Sequence, residues 1–318
     1  MPADRPVASA ARMDPAHYTP SGMPAHMRCY LPHAGPGLGV GAAGKVGLLE
    51  LELAPVAGTT RVKRQYCQAP LYLYRPIHLD PGRPDMAFVY LQQSGDGLVQ
   101  GDRYRLDITC APDGAAHITT QTPTKVFRSS HGITTQVINL SVAERAIVEY
   151  LPDPIVPCRG SRLFQRTTLT IDPTATVIWG EALLPGRVAH NEWHAYDDFW
   201  AETQVQRPDG SMLFTDQLRL QPATDPASLT LLGGHDVIGT LYVVTDAARP
   251  TDLVTSLRAA LPVADGLAIG VSELPNDCGV SVRVFARSSA QVQTAMRDAW
   301  DVARRATLGL PAPELRKS

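Results

Sequence analysis

The 318-residue sequence predicts a mainly β protein with two α-helices in its C-terminal third. Three observations carry that prediction. From Lys45 to about Thr245, short segments rich in Val, Ile, Thr and Tyr follow one another, and these residues suit a pleated, half-buried surface. Beyond Thr245, two stretches change to the three-and-four apolar spacing of an amphipathic helix. Ahead of Lys45 the chain is dense in Pro, Ala and Gly and shows no apolar period.

Residues 1–45 therefore read as a flexible Pro/Gly/Ala-rich extension to a β domain spanning 46–318. His17, His26, His33, Cys29, Met13, Met23 and Met27 are ligand types that a soft or borderline metal accepts. Their spacing follows no pattern, and composition alone accounts for them. The end of the extension, "GLGVGAAGKVGLLELEL" (37–53), fits two nucleotide-binding patterns, G-x-G-x-x-G at Gly39, Gly41 and Gly44, and G-x-x-x-x-G-K from Gly39 to Lys45. Both need a buried strand before the glycines and a helix after them. Here a Pro/Gly-rich stretch precedes them. Leu49, Leu51 and Leu53 then alternate with Glu50 and Glu52, the mark of a half-exposed strand. The run reads as a tether into a first strand.

The strand segments that follow include "LYLYRPIHL", "MAFVYLQQ", "YRLDITCA", "AHITTQTP", "TTQVINLSV", "RAIVEYLP", "RTTLTI", "TVIWGEALL" and "GTLYVVT". Pro-Gly at 81–82, Gly-Asp-Gly at 95–97 and Pro-Asp-Gly at 112–114 and 208–210 supply turns between them. No fixed period links the segments, so a regular repeat array is not predicted. A sandwich, barrel or stack of sheets is. Leu253, Val254, Leu257 and Leu261 share one face of a helix over 251–261, with Thr251 as its expected N-cap. After a last strand, "GVSVRVFAR", a helix runs from about Ser289 to Leu308 and ends at Gly309 and Pro311.

A hydrophobic content of 44%, 19% charged residues and a net charge of −2 describe a globular protein with no electrostatic reason to bind nucleic acid or an anionic membrane. No run is long and apolar enough to span a bilayer or serve as a secretory signal. Cys29, Cys67, Cys110, Cys158 and Cys278 are odd in number and widely spread, as expected of reduced thiols in the cytoplasm.

Enzyme motifs such as H-E-x-x-H and G-x-S-x-G are missing. The richest polar stretch is "RVAHNEWHAYDDFW" (187–200). As a helix it would bring His190 and His194 together near Glu192, Asp197 and Asp198, giving a metal-dependent hydrolase. Its interleaved Trp193, Tyr196, Phe199 and Trp200 favour a surface loop packed by aromatics instead. In "HITTQTPTKVFRSS" (117–130), the threonines suit a strand, Pro123 marks a break, and Lys125 and Arg128 form a basic patch that is either solvated or grips an anionic partner.

"GDGLVQGDRYRLDI", "AHITTQTPTKVFRS", "VEYLPDPIVPCRGSRLFQRTTLTI", "WGEALLPGR" and "AWDVARRATLGLPAPELRK" together resemble the urease accessory protein family UreD, also called UreH. The resemblance runs from about residue 46 to 317. It departs at Gln100 and Asn191, where glycines are usual. It implies a β-helix-like stack of short-stranded sheets with two C-terminal helices and no catalytic residues. It further implies a maturation role, with direct binding to UreF, contact with the GTPase UreG through UreF, and docking on apo-urease. Nickel would be a transient cargo, with no tightly bound cofactor. The phosphate loop of such an assembly belongs to the partner. By the same resemblance Asp102 and Glu181 are candidates for an internal nickel route. Thr120, Lys125, Arg128 and Arg187 are polar residues of the family motifs. A strand-borne carboxylate also has an ordinary reading, as a surface group or a structural hydrogen-bond acceptor.

Overall fold

In the computed structural model, which describes residues 11–31 and 44–315, two β-sheets are stacked face to face. The strands are, in chain order, β1 (Val46–Val56), β2 (Thr59–Gln68), β3 (Leu71–Leu73), β4 (Ala87–Gln93), β5 (Arg103–Cys110), β6 (Ala115–Thr120), β7 (Thr124–Val126), β8 (Thr134–Val142), β9 (Ile147–Tyr150), β10 (Ile155–Pro157), β11 (Arg162–Ile171), β12 (Thr176–Leu183), β13 (Asp198–Gln206), β14 (Met212–Leu220), β15 (Val237–Val244), β16 (Leu267–Glu273) and β17 (Gly279–Ala286). The helices are α1 (Ala25–Arg28), α2 (Pro250–Ala260) and α3 (Ser289–Leu308).

The first sheet has the order β14-β13-β11-β8-β5-β1-β2. The second runs β16-β17-β15-β12-β9-β6-β4-β3, with β7 and β10 attached at its side. From β4 to β13 the long strands alternate between the two sheets, and neighbours within each sheet are parallel. Each coil of chain thus gives one strand to each sheet, which is the predicted β-helix-like stack. Successive coils start 28 to 32 residues apart at β4, β6, β9 and β12. The sequence shows no matching period because the ladder repeats only backbone hydrogen bonds and inward–outward alternation, which many side chains satisfy.

The alternation read at Leu49, Leu51 and Leu53 is an inner face: these leucines join Leu106, Ile108, Leu140, Val148 and Trp179 in the core between the sheets. Burying this surface stabilises the stack by roughly 1.5–3 kcal/mol per large side chain. Strands β2, β13, β14 and β16 were not legible as strands. β2 sits at a sheet edge, and its Lys63 and Arg64 are exposed, so alternation is weak where only one side is covered. β15 is buried along its whole length, and its sequence is apolar apart from Thr240.

Helices α2 and α3 cover the outer face of the second sheet. Leu253, Leu257, Val292, Ala295, Ala299 and Trp300 pack on Ile178, Leu241, Val280, Val282 and Val284. Gly239 permits the approach, since a Cβ there would lie 2.8 Å from Val292 and 3.0 Å from Met296. α2 begins at Pro250 after Arg249, and no side chain caps it, so Thr251 is inside the helix rather than its N-cap. α3 is capped by Ser288, which accepts from the Gln291 N–H, and closes on Gly309 at a φ of 70°. No helix among the described residues is long and apolar enough to cross a membrane.

The expected free extension is corrected for residues 11–31, which lie on the outer face of the first sheet. Tyr18, Met23 and Met27 are buried, and the two methionines pack with Ile133 and Phe164. Three apolar anchors, Tyr18, Met23 and Met27, leave no period to detect. Residues 1–10 and 32–43 of the proposed extension, with Gly39, Gly41 and His33, lie outside the described residues. At the end of the glycine run, Gly44 comes against Gly101, where a Cβ would lie 3.2 Å away, and the Lys45 N–H donates to Asp102. β1 follows directly, so the run leads into a strand and not into a phosphate-binding helix.

Candidate functional site

Between the sheets, a polar row interrupts the apolar core. Strand register places Tyr104, Gln136 and Gln165 side by side on β5, β8 and β11. The Gln165 amide crosses to the second sheet and donates to Glu181 Oε1 at 3.0 Å. Glu181 is paired with Thr240 on β15, which is paired in turn with Arg283 on β17. Two clefts adjoin this row. Gln165, Glu181, Thr203, Asp216, Tyr242 and Arg283 line the first. The second is bounded by Gln93, Asp96, Tyr104, Thr120, Lys125 and Gln136. Tyr150, stacked on Trp179 at 4.2 Å, belongs to the wall of this second cleft.

Glu181 is the group with unusual chemistry. Burial between the sheets, with repulsion from the Asp216 carboxylate added, pushes its pKa up to about 7. Asp216 is itself held by Arg283 and by the Tyr242 hydroxyl. A buried carboxylate with a strongly raised pKa, facing a cleft between the sheets, marks Glu181 as a candidate functional group.

Asp102 is not beside Glu181. Its Oδ1 accepts from the Lys45 N–H at 2.8 Å, and its Oδ2 accepts from the Val99 N–H at 2.9 Å and from the Tyr104 hydroxyl at 3.4 Å. Burial raises its pKa, against those hydrogen bonds. This carboxylate ties the turn before β5 to the start of β1. Tyr104 links it to the polar row, since the same hydroxyl accepts from Gln93.

The other motif residues also have defined partners. The Thr120 hydroxyl donates to the Asp153 carboxylate and accepts its N–H, fastening the end of β6. Lys125 pairs with Asp96 at 2.8 Å at the mouth of the second cleft. Gly97 must be glycine there, because a Cβ would lie 2.4 Å from the Lys125 carbonyl. Arg128 is exposed, with its stem against Gly160. Arg187 grips Glu192 with both arms, at 2.9 and 2.7 Å, and holds that carboxyl below its usual range.

The cluster His190, His194, Asp197 does not assemble. The chain leaves helical geometry at Asn191, so His190 and His194 share no helix face. His190 is exposed, and His194 bonds the Tyr196 hydroxyl through Nδ1. Asp197 pairs with Arg162 and Asp198 accepts from Gln221. Aromatic packing explains the stretch: Tyr196 and Phe199 are buried, and β13 begins at Asp198. Sequence reasoning missed Gln165, Asp216 and Arg283. A buried glutamine between Phe164 and Arg166 is a weak signal for Gln165, but the Asp216–Arg283 pair spans 67 residues and has none.

Residues 45–318 match the family model of the UreD urease accessory protein. The chain is 41% identical over 283 residues to urease accessory protein UreD 2 of Streptomyces griseus, covering 88% of this chain and 96% of that one. It is 33% identical over 280 residues to UreD 2 of Brucella suis, covering 87% and 93%. Urease accessory protein UreD of Cenarchaeum symbiosum is 31% identical over 281 residues, covering 88% and 99%.

Proposed function

This chain belongs to the UreD urease accessory protein family, and from that premise we propose that it is a non-catalytic scaffold for loading nickel into urease. The match over 45–318 carries the reading. In this proposal it binds UreF directly and UreG through UreF, and it docks on apo-urease in the cytoplasm. It holds no cofactor of its own. Its five free cysteines suit a reducing compartment. No role with nucleic acid or membrane is proposed, as the net charge gives neither a reason to bind.

Nickel is cargo in this reading, and Glu181 is the residue that meets it inside the stack. One carboxylate with neutral oxygen and amide neighbours binds a divalent ion weakly enough to let it go. Asp102 acts as a positioning residue, because its oxygens are engaged by the turn it closes. Lys125 lines the second cleft and Arg128 is exposed, and an acidic partner surface can reach both.

The test is urease activation in cells carrying the urease and accessory genes, with and without this chain. Urease should lack nickel without it, and co-purification should recover the chain with UreF. Glu181→Ala should lower urease nickel while the complex still forms. Asp102→Ala should weaken assembly itself. Full nickel loading by Glu181→Ala would remove the route, and full activation without the chain would remove the whole proposal.

A further inference from the structure

On the outer face of the first sheet, away from the clefts, register places Glu50 on β1 beside Asp107 on β5. His17, from the N-terminal segment, comes down over them. One donor atom from each of His17, Glu50 and Asp107 lies within 4.8 Å of the other two. They form the one group of three such ligands found among the described residues. We propose that these residues form a binding site for a borderline divalent cation, Zn2+ or Ni2+, that clamps the N-terminal segment to the sheet.

The donor set fits that class of ion. One imidazole and two carboxylates suit Zn2+ or Ni2+, with water completing the sphere. Metal–ligand distances of about 2.0–2.2 Å keep donors within roughly 4.4 Å of one another, so the side chains need to close by only a fraction of an ångström. His17 is prepared as a ligand in two ways. Its Nε2 is buried and has no hydrogen-bond partner. Burial, helped by the Arg105 cation, disfavours its charged form. Its backbone is fixed as well, because Arg105 donates to the His17 carbonyl at 3.0 Å, and Tyr18 is buried and bonded to the Arg12 carbonyl.

The carboxylates are not idle, and their partners set how the ion competes. Arg12 donates to both oxygens of Glu50, while Arg105 and Asn139 donate to Asp107. Two guanidiniums already balance two carboxylates, so an arriving ion must displace one of them. Arg12 is the one that leaves. It lies on the N-terminal segment, and its existing contact with the Tyr66 ring, 3.9 Å from the guanidinium, can still hold it once Glu50 turns to the ion. Arg105 stays, because it also holds the segment's backbone.

The site lies on the outer face of the first sheet, with His17 ahead of the family match at 45–318, so it stands apart from the proposed nickel route between the sheets and from its test. The experiment is calorimetric titration of the untagged, full-length chain with Zn2+ alone, repeated with Ni2+. His17→Ala and Asp107→Asn should each weaken the ion's affinity by about tenfold or more. Arg12→Ala should strengthen it, because the competing cation is gone. Zn2+ should also slow tryptic cleavage after Arg28 in the native chain, with no such slowing in His17→Ala. Unchanged affinity in both ligand variants overturns the proposal, and so does weaker binding by Arg12→Ala. Binding without any protection of Arg28 overturns the clamp.

Discussion

The two outer faces of the stack are covered by different means. On the second sheet, α2 and α3 lay down a continuous apolar seam, with one buried ionic network inside it. Arg304 on α3 is fully buried and pairs with Asp80 and Glu149, while His117, bonded to Glu149 at 2.8 Å, stacks between Phe88 and Trp300. On the first sheet, residues 11–31 are held mostly by polar contacts. Arg105 and Arg166 bond carbonyls of the segment, Arg12 meets Glu50, and Arg162 lies over the Tyr30 ring at 4.4 Å. Only the small cluster around Met23 and Met27 is apolar. An apolar seam is part of the folding unit, because separating it exposes surface to water. A polar seam exchanges its bonds with water at small net cost, so it can open locally.

Four substitutions can break or sharpen this contrast. The largest effect is expected on the helix side. Arg304→Met leaves Asp80 and Glu149 buried without their cation and should cost about 3–5 kcal/mol in denaturant unfolding. A loss under about 1 kcal/mol would mean that the network does not hold the seam. Next is Met27→Ala, which empties a fully buried site at the N-terminal segment. It should cost about 2–3 kcal/mol, but as local release. Hydrogen exchange should rise over residues 11–31 while the midpoint of global unfolding stays nearly constant. A matching fall in global stability would show that the segment is part of the core unit.

Third is Glu181→Gln, between the two faces. The folded pKa of Glu181, about 7, stands above its ordinary 4.5, so the native state binds the proton more tightly than the unfolded one. The protonated form's contribution is therefore fully present below about pH 4.5 and is lost as pH rises through 7. Glutamine keeps the neutral form at every pH. The variant should match the native chain near pH 4 and be more stable by about 1–3 kcal/mol at pH 8. Equal stability of the two proteins at pH 8 would mean that Glu181 is not held in a desolvated site. The smallest effect belongs to Arg166→Met. Arg166 pairs with Glu202 at 2.7 Å and bonds Ser21 on the partly open face. Its loss should change global stability by less than about 1 kcal/mol. A cost approaching that of Arg304→Met would erase the distinction between the faces.

The sequence by itself determined the elements whose signal is local. Alternation at Leu49–Leu53, the largely apolar β15, the three-four spacing of α3 and its Gly309 end are each written in neighbouring residues, because pleat and helix geometry act over a few positions. The motif segments carry the family in the same way. Tertiary structure alone decided what those segments do together. The coil of about 30 residues needs no repeated side chains, so no period announced it. Thr251 is no cap because the chain turns helical one residue earlier, at Pro250. Glu181 gains its raised pKa only because the stacked sheets bury it and Asp216 reaches it from the opposite sheet, and His17 meets Glu50 and Asp107 only because a segment without a pattern folds back across 33 and 90 positions of chain. Such contacts depend on which faces the stack leaves open, and residue order along the chain does not carry that information.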